Sequence, residues 1–146
     1  MIQDRHPAMQ YATGLLDRLG AAGPKARYAL ALIRIVNGAI ALVAPSIIVK
    51  RFGETPGESA AATYGLRLFG VRTVLIGVDL VTQRGPALRH TTGQAVVIHL
   101  SDTLTAGGLG ISGRLRPRMA IPLTLISAIN TVLAIISWLA SRRQGQ

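Results

Sequence analysis

The chain has 146 residues, of which 49% are hydrophobic, only 15% charged and 4% aromatic, with a mean hydropathy of +0.41; soluble domains average about 25% charged residues, so one domain with the polar surface of a water-soluble fold is excluded. The net charge of +10 would suit nucleic acid, but the basic residues flank apolar runs (Lys25/Arg27, Lys50/Arg51, Arg114/Arg116/Arg118, Arg142/Arg143) with no stacking aromatics between them, which reads as interfacial anchoring with no nucleic-acid partner. With no cysteine, disulfides, thiolate metal sites, iron–sulfur clusters and a Cys nucleophile are all excluded.

Residues 1–20 carry Asp4, Arg5, His6, Asp17 and Arg18 and lack the apolar core of a cleavable signal peptide. The first apolar run is therefore expected to act as an uncleaved signal anchor. Residues 7–20 place Met9, Ala12, Leu16 and Leu19 on one helical stripe, which ends at Gly20 and is followed by the breaker pair Gly23-Pro24. Two readings stay open for this stretch: a short amphipathic helix in the membrane interface, or a poorly ordered N-terminus. Either way residues 1–27 form a segment apart from a transmembrane domain over 28–140, with a basic tail over 141–146.

Residues 28–49 are long enough to span about 30 Å of hydrocarbon at about 1.5 Å per residue, interrupted only by Arg34 and Asn37, with Pro45 near one end. Residues 60–82 contain Arg67, Arg72 and Asp79, and residues 94–111 contain His99, Asp102 and three glycines. Singly these two are weak spans; between two good ones they read as helices with polar faces turned inward. Residues 119–140 form the cleanest span, with a central Asn130 and with Trp138 at an interfacial position. The expected fold is all-α: a four-transmembrane-helix bundle with linkers at 50–59, 83–93 and 112–118. A two-span protein with a re-entrant middle is the rival. With the N-terminus inside, Arg5, Arg18, Lys25, Arg27, Arg84, Arg89, Arg142 and Arg143 lie inside, against Lys50, Arg51, Arg114, Arg116 and Arg118 outside. That balance puts both termini of a multi-pass inner-membrane protein in the cytoplasm.

A charge at the centre of a bilayer costs about 2.5–3.5 kcal/mol on insertion scales, so each needs a partner or a task. Counting depth along each helix puts Arg72 and Asp102 near mid-membrane with Asn37 and Asn130 at the same level, and Arg34 and Asp79 as a second pair nearer the cytoplasm. His99 and Asp102, at i and i+3, are neighbours. A carboxylate beside an imidazole raises its basicity and fixes its tautomer, so Asp102 and His99 are the candidate catalytic acid–base pair. Arg72, Asn37, Asn130, Arg34 and Asp79 are the candidate ligand-binding residues. Bland alternatives stay open: an Arg72–Asp102 pair that only joins two helices, a His99 that only hydrogen-bonds between helices, and Asn37 and Asn130 as interhelical bonds worth about 0.6 kcal/mol each. Arg67, on another face and within reach of Glu54 or Glu58, reads as structural. His6, His90 and His99 are too scattered for a zinc or bis-histidine haem site, and residues 105–113 lack the lysine and strand of a phosphate loop. No cofactor is implied.

The order of an Arg34/Gly38 span, then Gly65-Leu-Arg-Leu-Phe-Gly-Val-Arg72 leading into Leu75-Ile-Gly77, then His99-x-x-Asp102, then a clean fourth span, resembles the small four-helix integral membrane proteins of the DoxX-like type, actinobacterial members included, over about residues 28–140. The resemblance implies a compact four-helix bundle with cytoplasmic termini. Some relatives are associated with quinone-linked sulfur oxidation or act as partners of redox membrane proteins; without cysteine, no thiol chemistry carries over to this chain. The residues themselves support a polar pocket for a membrane-soluble amphipath (a quinone, terpenoid or lipid), with cofactor-free proton transfer such as isomerisation, cyclisation or epoxide opening if it is an enzyme. The alternative is a non-catalytic accessory or scaffold subunit, either as a homo-oligomer or within a larger membrane complex. A small-solute transporter fits less well, because the chain is short and its halves show no inverted repeat.

Overall fold

The computed structural model describes residues 7–51 and 60–143, which form five helices: α1 (Pro7–Val43), α2 (Pro45–Arg51), α3 (Ala60–Thr82), α4 (Gly85–Ile111) and α5 (Pro117–Arg143). The fold is all-α, as expected. α2 is a short helix of about two turns after Ala44. It exists because the residue before a proline avoids the helical region, so Pro45 ends α1 and opens the next segment. Residues 28–49 are thus two helices.

α1 differs more from expectation. Gly23-Pro24 reads as a break, yet the helix runs through it from Pro7 to Val43 with Pro24 inside. Proline removes one backbone bond and crowds the preceding turn. Here the turn is held from outside: a Cβ added at Gly23 would stand 2.1 Å from Ala140 Cβ, and Asp17 pairs with Arg143 at 3.4 Å. Residues 17–27 are therefore docked along α5 and do not form a separate segment. The apolar stripe Met9, Ala12, Leu16 and Leu19 lies outside the described side chains. At the other terminus α5 continues to Arg143, so the start of the basic tail is helical.

α3 begins and ends where the sequence places it, whereas α4 starts nine residues early because Pro86 is well suited to a first helical turn. The connections are correspondingly tight. Gly85 (φ +55°) and Gly113 (φ +71°) take the left-handed backbone that glycine adopts without strain. Arg84 Nη1 donates to the Val81 and Gln83 carbonyls at 2.9 and 2.8 Å, satisfying the end of α3.

The helices run up and down in turn. Gly77 meets Ala31 and Ile35 while Gly70 meets Gly38 and Leu42, so α1 and α3 are antiparallel. Thr92–Ser141 and Thr103–Thr131 contacts make α4 and α5 antiparallel. α1 packs on α3 and α5, and α5 packs on α4, whereas α3 and α4 touch sparingly. α1 and α4 consequently stand diagonally across the bundle, with an open seam between α3 and α4.

The burial pattern is the reverse of a water-soluble bundle. The apolar core is small, built on Leu30, Ala31, Leu80, Ala95 and Ala134. Beside it Arg34, Thr73, Thr92, His99, Asn130 and Ser137 are buried, while Leu32, Tyr64, Leu75, Val97, Leu104 and Ile121 are among the large apolar side chains exposed on all four long helices. Two helical stretches, Gly20–Val43 and Pro117–Arg143, are long and apolar enough to cross a membrane. The sequence leads one to expect four. α3 and α4 fall short because Arg67, Arg72 and Asp79 interrupt one, and His99 and Asp102 the other.

Candidate functional site

Each helix of the bundle marks its inward face with small or polar residues. On α1 the buried positions are Gly23, Ala26, Leu30, Ala31, Arg34, Gly38 and Ala41, one face of the helix. On α4 they are Leu88, Thr91, Thr92, Ala95 and His99. Arg34 and His99 therefore point at each other across the diagonal. The Arg34 side chain reaches the imidazole, with Nη1 and His99 Nε2 2.5 Å apart. Arg34 is 3% and His99 6% exposed.

This contact fixes the imidazole proton. Guanidinium has donors only, so Arg34 Nη1 donates and His99 Nε2 accepts. The remaining proton then sits on His99 Nδ1, which faces Asp102 Oδ2 at 3.7 Å, too long for a hydrogen bond. The Asp102 carboxylate also acts through space on Arg34. Its side chain is 46% exposed. Arg34, His99 and Asp102 thus form a chain from the closed interior to an accessible carboxylate.

Around this chain, Thr103 Oγ1 donates to the His99 carbonyl at 2.7 Å and meets Thr131 Oγ1 at 3.1 Å. Asn130, next to Thr131, is buried on α5, so it stands at this level of the bundle. Two buried polar atoms here are unpaired: Arg34 Nε, a donor, and Asn130 Oδ1, an acceptor. Buried polar groups are nearly always paired, and each one left alone costs about 1–3 kcal/mol.

The other expected residues fall elsewhere. Arg72 is exposed and makes no ion pair with Asp102. Asp79 is half-buried and does not pair with Arg34. The reason is azimuth. Gly70 and Gly77 face α1, and Arg72 and Asp79 each lie two residues further on, about 200° around the helix. Asn37 is half-buried on α1 and, like Arg72 and Asp79, makes no side-chain hydrogen bond or ion pair among the described residues. Arg67 is exposed, and the carboxylates expected to reach it, Glu54 and Glu58, lie outside the described residues.

The sequence reading paired Arg72 with Asp102 and missed the Arg34–His99 bond. The three-and-four spacing of small residues around Arg34 and His99 was the available signal for it. Also missed was an open groove of about 570 Å³ along α4, between Ile76 of α3 and Trp138 of α5, with Arg89 and His90 at one end and Ile98 at the other. None of Arg34, His99 or Asp102 lines it.

Compared with protein-family models, curated proteins and solved structures, the chain finds no match. The chemistry of the site rests on its own residues.

Proposed function

We propose that this protein crosses a membrane four times, with both termini in the cytoplasm, and holds the polar part of a membrane-soluble amphipath against the Arg34–His99–Asp102 centre. A quinone, terpenoid or lipid has the required chemistry. The observation that carries this reading is the unpaired donor and acceptor, Arg34 Nε and Asn130 Oδ1, buried in a bundle whose outer surface is apolar. A hydroxyl or an ordered water placed between them, accepting from Arg34 Nε and donating to Asn130 Oδ1, relieves both. The sparse α3–α4 contact supplies a lateral entrance from the lipid phase.

Of the three ionisable groups, Asp102 alone is accessible, so it is the group that exchanges a proton with a guest. His99 Nδ1–H and the Arg34 charge behind it orient and polarise that carboxylate. Chemistry of this kind needs no cofactor: a proton removed from one atom of the ligand and returned to another is an isomerisation.

The test is mass spectrometry of the organic extract of gently purified protein, wild type beside Asp102→Asn. A stoichiometric amphipath held by the wild type and lost or much depleted in an equally stable variant is the expected result. Empty extracts from both proteins would remove the ligand site. They would favour the second reading, an accessory subunit, for which the supporting observation is that Arg34 is only 3% exposed and does not line the α4 groove. There the Arg34–His99 bond is purely a tie between helices.

A further inference from the structure

The groove along α4 is chemically divided along its length. Its rim carries Arg89, half-buried, and His90, exposed, and neither makes an ion pair among the described residues. Arg142 joins them from α5, stacked over the Trp138 ring at 4.4 Å. The Thr92–Ser141 contact sets Arg89 and Arg142 at nearly one level. Beyond them the lining is Gln94 and then the apolar Val97, Ile98 and Ile76.

Two details turn this surface into a shaped site. Gly93 leaves space for the indole, since a Cβ there would stand 3.3 Å from Trp138 Nε1. Trp138 lines that groove, and its indole N–H donates to no acceptor among the described residues. From Arg89 to Ile98 the helix rises about 14 Å, nine steps of about 1.5 Å. That is close to half of the roughly 30 Å hydrocarbon core, the depth of one leaflet.

We infer that the α4–α5 groove is a site for an anionic phospholipid, whose phosphate lies against Arg89, His90, Arg142 and the Trp138 N–H while an acyl chain runs over Val97, Ile98 and Ile76. Charge complementarity selects this occupant. The rim presents cations without counter-ions, and a mainly apolar track leads away from them, ending about 14 Å below Arg89. Basic pockets between helices on the cytoplasmic side recognise lipid phosphates in this way. A neutral lipid satisfies only the track, and a free anion only the rim. The inference rests on the membrane part of the proposed function and not on the polar centre.

The experiment is native mass spectrometry of the full chain released from nanodiscs of equal phosphatidylcholine and phosphatidylglycerol. Wild type is expected to retain phosphatidylglycerol preferentially, one molecule per chain. Arg89→Gln and Arg142→Gln are each expected to cut that preference about fivefold, the weight of one basic residue at an anionic surface. Val97→Trp, which blocks the track and leaves every cation in place, is expected to lower retention of both lipids. Equal retention of the two lipids by wild type overturns the inference, as does a preference that survives in Arg89→Gln/Arg142→Gln. Displacement of the lipid by millimolar inorganic phosphate would make the site one for a free anion. A lipid-free dimer would mean that a second copy covers the groove. Resistance of wild type to alkaline carbonate extraction separates these failures from failure of the membrane reading itself.

Discussion

A guanidinium stays charged at neutral pH, so Arg34, buried at 3% exposure, has to be compensated where it lies. Its only hydrogen-bond partner among the described residues is His99. Removing that partner by His99→Leu strands Arg34 Nη1, and a hydrogen bond to a charged group contributes about 1.5–3 kcal/mol. A loss of that size is expected in reversible unfolding of the micellar protein by SDS. Arg34→Leu/His99→Leu removes both halves and is expected to recover most of the loss, because apolar groups of similar volume replace a buried polar pair at little cost. A double variant as unstable as His99→Leu alone would show that the bond is not what secures this level of the bundle. The same residues mark what a sequence can disclose. Arg34, His99 and Asp102 were all legible as expensive intramembrane groups, because cost follows from residue type and depth. Their pairing was not, because depth fixes height along a helix and leaves rotation about it open. Arg72 matched Asp102 in height and pointed elsewhere.

Between helices, the closest approach is made by glycine. A Cβ on Gly70 would stand 2.7 Å from the Gly38 carbonyl oxygen and 2.8 Å from the Leu42 nitrogen, both backbone atoms that cannot swing aside. Small residues let helices pack this closely where the hydrophobic effect no longer drives association. Gly70→Ala is expected to push α1 and α3 apart and cost about 1–3 kcal/mol as overpacking. Gly65 lies on the same helix with nothing within 4 Å of its Cβ position. There Gly65→Ala is expected to stabilise by up to about 1 kcal/mol through helix propensity alone. Thermal unfolding of the two variants beside wild type reads the contrast, and a shift in the same direction for both would show that α1 and α3 are not in close contact. Element boundaries followed the sequence at both ends of α3, Ala60 and Thr82. They departed from it at Gly23-Pro24, where the helix is held by Ala140 and Arg143, more than a hundred residues away in the chain.

At the scale of the molecule, the question is how many times the chain crosses the bilayer. Composition singles out two spans, α1 and α5. The proposed four crossings fit α3 and α4, continuous helices of 23 and 27 residues, about 34 and 40 Å long at about 1.5 Å per residue. They run antiparallel between the two apolar spans, with Thr73 and His99 buried and Leu75, Val78, Val97 and Leu104 exposed, beside Arg67 and Arg72, which are exposed on α3 as well. Without crossing, those apolar faces would meet water. Four crossings also place the α3–α4 turn (Gln83, Arg84) and the α4–α5 turn (Ser112, Gly113) at opposite ends of the bundle. A two-span chain would leave both on one side. The natural absence of cysteine makes this directly readable with single substitutions and a membrane-impermeant maleimide on intact cells. Ser112→Cys is expected to label from outside, and Gln83→Cys only after the membrane is permeabilised. The expectation follows the proposed orientation, in which Arg18, Lys25, Arg27, Arg84, Arg89, Arg142 and Arg143 lie on the Gln83 side against Lys50, Arg51, Arg114, Arg116 and Arg118 on the other. Labelling of both positions from the same side would leave α3 and α4 outside the bilayer. The buried Arg34–His99 bond would then join a membrane-embedded helix to one in water, which its burial in the bundle does not allow without rebuilding the fold.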